Sequence, residues 1–295
     1  MSRISDLIRA HNIGNAGHVG DITIVPENVT CRKNLQYGND KEWNVFDIYY
    51  ETSHLKGQPT LISIHGGGWV SNTKESYEPY CLDLAARGFH VVNFTFRLAP
   101  EHPHPAMIED VNQLMVHLYE HQEDYQLDME NVFMVGDSAG AHLLAMYMGI
   151  CTNDEYAKSF SFKVPQGFIP KGIALNCGVY DILYELEHDK SGMMKDLIYD
   201  YIGKHNRELA IKQINAIDYI TSAFPPVYIM TSNKDIFQDQ YEFMIEKIKQ
   251  VEVTYICKKY GDENTSLGHV FHLDVDNKDA IQCNNDECAF FRSLQ

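Results

Sequence analysis

The segment Gly136-Asp137-Ser138-Ala139-Gly140 combines a serine and flanking glycines in a spacing that suits nucleophilic catalysis. It follows the apolar run Val132–Val135 and precedes a helical pattern over Ala141–Met148. A serine on a tight turn from a strand into a helix holds its hydroxyl exposed, and small neighbours let such a turn close. The first N–H groups of the helix favour negative charge near that hydroxyl. Ser138 is therefore the candidate nucleophile.

A second glycine-rich segment, His65-Gly66-Gly67-Gly68, ends another apolar run, Leu61–Ile64. Glycine lets backbone N–H groups approach a ligand without obstruction by a side chain. When a serine attacks a carbonyl carbon, an oxyanion forms, and each preorganised N–H donor stabilises it by about 3 kcal/mol. We expect Gly67, Gly68 and Ala139 to supply these donors. His65 is expected to brace the loop rather than to react.

A serine nucleophile also needs a base, and the base needs an orienting carboxylate. Asp235 follows the predicted strand Val227–Met230, and His269 follows the next predicted strand, Val253–Cys257. Their order along the chain, Ser, Asp and then His, is the order typical of α/β-hydrolases. The sequence thus predicts a catalytic triad of Ser138, Asp235 and His269.

Three other titratable residues compete for these roles. Asp239 is the alternative acid, although its position indicates that it already lies in the following helix. His272, three residues after His269, is the main alternative base. His142 lies four residues after Ser138, a spacing that directs it along the helix, so we expect it to pack rather than react.

Trp69 directly follows the glycines and is the candidate substrate-binding residue. Its bulk would narrow a pocket and favour short acyl groups. The alternative is that Trp69 packs beneath the loop.

Strands that alternate with helices must hold these residues in place. Several of the apolar runs are continuous, which indicates burial on both faces of a largely parallel sheet covered by helices. The pattern over Asn44–Tyr50 alternates and is typical of an antiparallel edge strand. The predicted strands are Ile22–Val25, Val45–Tyr50, Leu61–Ile64, Val91–Phe96, Val132–Gly136, Ile173–Leu175, Val227–Met230 and Val253–Cys257.

Two connections, 151–171 and 180–223, are longer than a simple crossover requires. Both follow predicted strands on the side where α/β folds bind ligands. The segment 180–223 contains apolar residues at helical spacing around Met193, Leu197 and Tyr201. It is predicted to form a lid or a pocket wall, and a helix that merely packs on the core is the alternative.

Composition indicates a protein with a large core and an acidic surface. The 295 residues are 44% hydrophobic and carry a formal net charge of −17. Such a surface repels nucleic-acid backbones, so a nucleic-acid partner is not expected. The seven cysteines form no C-x-x-C pair and fit reduced thiols. No secretory signal or membrane span is apparent, so a cytoplasmic location is expected.

At the glycine-rich and serine segments the sequence resembles the hormone-sensitive lipase-like branch of α/β-hydrolase carboxylesterases. His65–Gly68 matches its H-G-G-G motif, and Gly136–Gly140 matches its G-D-S-A-G motif. Phe96–Ala106 is similar to its Y-R-L-A-P-E segment, with Phe96 in place of the tyrosine. Asp235 and His269 stand where that family has D-P-L and H-G-F, although Val270 replaces the glycine.

The resemblance implies an α/β-hydrolase fold with a mostly parallel eight-stranded sheet and a small cap, formed in one domain over 1–295. The cap would comprise 1–40 and 180–223. The implied function is hydrolysis of short-chain acyl esters through an acyl-enzyme, without metal or cofactor. Amidase, arylformamidase-like and carbohydrate-ester hydrolase activities remain alternatives, as does a non-catalytic small-molecule binding protein on the same scaffold. Members of that family often form dimers through edge strands, so the resemblance makes a homodimer an expectation.

Overall fold

The computed structural model of the chain describes residues 1–16, 25–53 and 57–295, and a single eight-stranded sheet runs through it. The strand order is β1-β2-β4-β3-β5-β6-β7-β8. Neighbouring strands from β4 to β8 are parallel, whereas β2 runs antiparallel to both β1 and β4. The strands are β1 Val29–Gln36, β2 Val45–Glu51, β3 Thr60–Ile64, β4 His90–Phe94, β5 Val132–Asp137, β6 Gly172–Asn176, β7 Val227–Ser232 and β8 Tyr255–Tyr260.

Helices cover both faces of the sheet. The helices within the described residues are α1 Arg3–Ala16, α2 Glu78–Ala86, α3 Ala106–Glu120, α4 Gln122–Tyr125, α5 Ala139–Thr152, α6 Asp154–Ala157, α7 Ile182–His188, α8 Met193–Ile202, α9 Arg207–Ile214, α10 Gln238–Gln250 and α11 Lys278–Arg292. None of the helices in these described stretches combines the length and the apolar character that crossing a bilayer requires.

The alternation of side chains along the strands divides the core into two layers. Leu61 of β3 and Phe133 of β5 pack with α2 and α11 on one face. Ile62 and Met134, one residue further along the same strands, pack with α3, α5 and α10 on the other face. Successive residues of a strand point to opposite faces. Continuous apolar runs are therefore what a sheet covered on both sides requires, as the sequence predicted.

The prediction of a mostly parallel eight-stranded sheet is confirmed, but its antiparallel margin differs from the prediction. Residues 44–50 were predicted as an antiparallel edge strand. The antiparallel direction is confirmed, but the edge position is wrong, because β2 lies between β1 and β4. The edge strand is β1, whose residues alternate weakly and were not predicted as a strand. The predicted strand Ile22–Val25 lies outside the described residues, except for Val25, which is in no strand. At the other edge, β8 begins and ends later than the predicted Val253–Cys257.

The carboxyl ends of the parallel strands carry the loops that hold the candidate residues, and α1 and α8 lie next to each other beside these loops. The hydroxyl of Ser5 on α1 donates to Asp200 Oδ2 on α8 at 2.7 Å. Further along α1, Arg9 Nε donates to the carbonyl of Val70 at 2.7 Å and pairs with Glu101. These contacts fix α1 to α8 and to the loop that continues from the three glycines.

Candidate active site

Ser138 lies on a strained turn between β5 and α5. Its φ of 51° and ψ of −120° are unusual for a residue with a side chain. The turn can form only because its two glycines have no side chain. A Cβ on Gly140 would lie 2.0 Å from the carbonyl oxygen of Ile64, and one on Gly136 would lie 2.6 Å from the carbonyl oxygen of Gly140. The G-x-S-x-G spacing is thus a steric requirement of this turn.

The structure brings the three predicted triad residues together. His269 Nε2 lies 2.9 Å from Ser138 Oγ, and His269 Nδ1 lies 2.7 Å from Asp235 Oδ1. Because an ionised carboxylate can only accept, Nδ1 carries the proton and donates it to Asp235. Nε2 is then free to accept the hydroxyl hydrogen of Ser138.

Asp235 is held in its ionised form by several donors. Thr231 Oγ1 donates to Oδ2 at 2.7 Å, and the N–H of Phe237 donates to Oδ1 at 3.1 Å. Burial alone would raise the pKa of this carboxyl, but the hydrogen bond and charge of His269 and these two donors outweigh it and lower the pKa to about 2. Asp235 therefore stabilises positive charge on the imidazole at any physiological pH.

The glycine-rich loop presents backbone N–H groups beside Ser138. Gly67 and Gly68 have φ of 118° and 61°, and a Cβ on Gly67 would lie 2.2 Å from the carbonyl oxygen of Ser71. Within the part of the chain that the structure describes, the N–H groups of Gly67, Gly68 and Ala139 donate to no protein acceptor. Donors without a protein acceptor are what the predicted oxyanion hole would require.

A buried network connects this loop to the residue before the nucleophile. The N–H of Gly66 donates to the Tyr77 hydroxyl at 2.8 Å, and that hydroxyl donates to Asp137 Oδ2 at 2.7 Å. Burial raises the pKa of Asp137 to about 7, although the Tyr77 hydrogen bond and the nearby His269 oppose the rise. His65 stacks on Phe96 with ring centroids 4.0 Å apart, which agrees with a bracing role.

A second buried carboxyl supports the nucleophile turn from the other side. Glu287 of α11 accepts from the Tyr80 hydroxyl at 2.8 Å and from Asn176 Nδ2 at 2.7 Å. The carbonyl of Asn176 in turn accepts the N–H of Ser138 at 2.9 Å. Sequence reasoning missed Glu287, Tyr77 and Tyr80, because all three lie in segments whose pattern signals only a helix or the approach to one.

The alternative acid and base lie elsewhere. His272 is fully buried, burial lowers its pKa to about 3, and its ring packs edge-on against Tyr80. Asp239 Oδ2 accepts from the Tyr184 hydroxyl at 3.0 Å. Neither forms a hydrogen bond with Ser138 or His269 within the described residues.

Trp69 and His142 join the glycine-rich loop to α5, α8 and α9. The Trp69 indole N–H donates to His142 Nδ1 at 3.2 Å, and His142 Nε2 donates to the carbonyl of Ile214 at 2.7 Å. The indole stacks on Tyr201 with ring centroids 4.9 Å apart. With a relative exposure of 2%, Trp69 mainly packs beneath the loop, although it also borders the cleft. His142 packs as expected.

A cleft of about 1370 Å³ opens onto Ser138 and His269. Apolar side chains of α1 and α8 line one part of it, and residues of α2 and of the segment 270–276 line another part. A methyl group on Gly68 would lie 3.4 Å from Leu197 and 3.5 Å from Ile8. These residues of α8 and α1 therefore lie directly over the loop that presents the N–H groups.

Cys177, Asp235 and His269 each place one potential metal ligand within 4.8 Å of the others. Burial raises the pKa of the Cys177 thiol well above its usual range. Metals bind the thiolate, so a neutral thiol is a poor ligand. Because His269 and Asp235 already bond to each other, this group fits a proton-transfer site better than a metal centre.

Comparison with known proteins identifies the family. The BD-FAE family model matches residues 46–242, from β2 into α10. The chain belongs to this family. Its resemblance to hormone-sensitive lipase-like carboxylesterases of the α/β-hydrolase class is thereby confirmed.

Two relatives agree with this assignment. Over 286 residues the chain is 27% identical to an Arabidopsis thaliana protein named "Probable carboxylesterase 1", with 86% of this chain and 84% of that protein covered. It is 24% identical over 219 residues to an alpha/beta hydrolase of Acanthamoeba polyphaga mimivirus, a match that covers 73% of this chain but only 62% of the mimivirus protein.

Among solved structures, esterase B of Lactobacillus rhamnosis superposes with a TM-score of 0.90 at 22% identity, covering 99% of this chain and 97% of the esterase. The likeness confirms the predicted α/β-hydrolase fold.

Proposed function

We propose that this α/β-hydrolase is a serine carboxylic ester hydrolase that acts through an acyl-enzyme. The observation that carries the proposal is the continuous hydrogen-bonded series from Asp235 through His269 to Ser138, beside N–H groups that lack protein acceptors. A non-catalytic binding protein would have no use for a serine held on a strained turn against an oriented imidazole.

In acylation, Ser138 Oγ attacks the ester carbonyl carbon while His269 Nε2 takes the hydroxyl proton. The carbonyl oxygen becomes an oxyanion that accepts from Gly67, Gly68 and Ala139. The imidazolium, stabilised by Asp235, then gives its proton to the departing alcohol as the C–O bond breaks. Water, deprotonated by the same imidazole, attacks the acyl carbon. As the bond between that carbon and Ser138 Oγ breaks, the imidazolium returns the proton to Oγ, which releases the acid and restores the serine.

The proposed domain organisation is one hydrolase domain with a small cap. Of the predicted cap segment 1–40, residues Val29–Gln36 form β1 of the sheet, so we assign only α1 from that segment to the cap. The segment 180–223 contributes α7, α8 and α9. The Ser5–Asp200 hydrogen bond and the position of Ile8 and Leu197 over Gly68 support this assignment.

Short acyl esters are the proposed substrates, because Ile8 and Leu197 lie within van der Waals distance of a methyl group at Gly68 and leave little room above the loop. In keeping with this, a solved complex of the similar esterase B contains an inhibitor described as C6-C4 SN3.

The proposed setting is the cytoplasm. All seven cysteines are free, which fits a reducing compartment. A homodimer through an edge strand stays a prediction. Both β1 and β8 are edge strands, and β8, with four exposed residues, is the more exposed of the two.

The decisive experiment measures hydrolysis of p-nitrophenyl acetate, butyrate and laurate by the wild-type protein and by Ser138→Ala. The wild type should prefer the two shorter esters. The variant should lose about 10⁶-fold in kcat, because its side chain cannot form the acyl-enzyme. Unchanged thermal unfolding of the variant is the control for folding.

Retained turnover by pure Ser138→Ala would disprove the nucleophile assignment. A preference for laurate would disprove the short-acyl proposal alone. Covalent labelling of the wild type, but not of Ser138→Ala, by a fluorophosphonate separates a hydrolase from a binding protein.

A further inference from the structure

The charges that border the cleft all have one sign. Among the described lining residues there are five carboxyl groups and no lysine or arginine. The carboxyl groups belong to Asp83, Asp137, Glu185, Asp274 and Asp276. Any substrate that reaches Ser138 therefore meets acidic groups but no lysine or arginine among the described wall residues.

Two of these groups are free to act on a bound substrate. Asp274 and Asp276 are exposed, lie five and seven residues after His269, and form no ion pair within the described residues. The other three are occupied: Asp83 pairs with Arg87 at 2.8 Å, Asp137 is buried beneath Tyr77, and Glu185 accepts from Gln240 at 2.7 Å.

Cationic side chains on the helices that border the cleft do not offset the negative charge of its carboxyl groups. Arg9 of α1 pairs with Glu101, and Arg87 of α2 pairs with Asp83. Lys195 of α8 lies over the ring of Tyr199, and neither Arg3 of α1 nor Lys278 of α11 is part of the cleft wall. A substrate carboxylate would thus gain no ion pair to offset the loss of its hydration.

The remaining wall also disfavours anions. Ile8, Met193 and Leu197 present apolar surface, which accepts uncharged groups but cannot solvate a charge. The net charge of −17 extends the repulsion beyond the cleft, since the summed field of a protein changes the local concentration of charged ligands.

We propose that the cleft selects esters with uncharged or cationic substituents and rejects esters that carry a carboxylate or phosphate, with Asp274 and Asp276 as the specificity-determining residues. This inference rests on the proposed ester hydrolysis at Ser138.

The test uses three phenyl acetates whose para substituent is carbamoyl, carboxylate or trimethylammonium. All three esters form the same acetyl-enzyme, so they share the deacylation step. Their kcat/KM values report the steps up to and including acylation. Each value is divided by the rate constant for alkaline hydrolysis of the same ester, which removes the difference in leaving group. The carbamoyl and carboxylate esters are nearly equal in size, so their ratio isolates the charge.

At low salt the normalised kcat/KM should be about sixfold lower for the carboxylate than for the carbamoyl ester, as two carboxylates about 8 Å away in water would cause. The cationic ester should equal or exceed the carbamoyl ester. Both differences should shrink as salt rises, because ions screen exposed charges.

The double variant Asp274→Asn, Asp276→Asn should narrow the ratio of carbamoyl to carboxylate ester by about fivefold. Its matched control, Glu120→Gln with Glu130→Gln, removes two exposed charges outside the cleft wall and should leave the ratio unchanged.

Equal normalised rates for the carbamoyl and carboxylate esters in the wild type would overturn the charge selectivity. So would an equal narrowing by both double variants, which would assign the effect to net charge alone. Failure to hydrolyse even the carbamoyl ester would instead count against ester hydrolysis itself.

Discussion

Asp235 and Glu287 are two buried carboxyl groups near the same serine, yet their surroundings shift their pKa values in opposite directions. Burial would raise both values. For Asp235 the imidazole of His269, a hydroxyl and a backbone N–H overcome burial and lower the pKa to about 2. For Glu287 burial prevails over its hydrogen bonds from Asn176 and Tyr80, and the pKa rises to about 7.

The difference lies in what the partner can do. His269 can become positively charged, so an ionised Asp235 gains both a hydrogen bond and a charge interaction. Asn176 and Tyr80 are neutral donors that orient Glu287 without stabilising its charge to the same degree. A carboxylate beside the imidazole therefore serves the reaction through its charge, whereas the one beneath the turn serves it through the geometry of its hydrogen bonds.

The largest effect that this comparison predicts is that of Asp235→Asn. The neutral amide of asparagine cannot stabilise positive charge on the imidazole, and an NH2 group turned toward His269 Nδ1 would donate to it and favour the wrong tautomer. We expect kcat for p-nitrophenyl acetate to fall by about 10⁴-fold with the fold intact. Steady-state kinetics and thermal unfolding measure the two quantities, and a loss below tenfold would contradict the role given to Asp235.

A smaller loss of kcat is expected from Tyr77→Phe. The change leaves the N–H of Gly66 without its acceptor, next to the N–H groups that would bind the oxyanion. We expect kcat to fall about tenfold with KM nearly unchanged, since the hydrogen bonds from the loop N–H groups to the oxyanion would strengthen only in the transition state.

The matched control is Tyr80→Phe, which removes a buried hydroxyl of the same kind from Glu287. It should lower stability by about 1–3 kcal/mol, as leaving a buried polar group unpaired does, while kcat changes less than about threefold. If both variants lost kcat equally, the Tyr77 hydroxyl would have no specific influence on the oxyanion loop.

Whether the sequence could predict a site residue depends on how far along the chain its structural partners lie. The sequence predicted Ser138, Gly67 and Gly68 because their roles require particular residue types within one short segment. A strained turn requires glycines around the serine, and a loop with exposed backbone N–H groups requires glycine itself. Asp235 and His269 were predicted because loops at the carboxyl ends of successive parallel strands meet at one edge of the sheet.

Glu287 was beyond such reasoning. Its contact with Tyr80 spans 207 residues, and only the packing of α11 against α2 creates it. The pattern around Glu287 signals nothing except a helix. For the same reason β1 was not predicted as a strand, because its side chains alternate only weakly and it forms a strand by pairing with β2. The same limit applies to Trp69, whose burial depends on Tyr201 and His142 in distant segments.

The smallest predicted effect concerns stability and its dependence on pH, and it tests the protonation of Glu287 directly. A pKa that rises from an ordinary 4.5 to about 7 on folding means that the folded state binds the proton more tightly. The resulting stabilisation is complete below pH 4.5 and is lost as the pH rises through 7. Glu287→Gln has no such proton, so its stability relative to the wild type should increase between pH 5 and pH 8, by about 2 kcal/mol.

Urea unfolding of both proteins at the two pH values measures this difference, and Glu120→Gln, at an exposed position, should show no such dependence. A relative stability of Glu287→Gln that stayed constant or decreased with pH would mean that Glu287 is already ionised at pH 5. In that case neutral donors alone would suffice to hold a buried carboxylate, and the contrast with Asp235 would no longer depend on the imidazole.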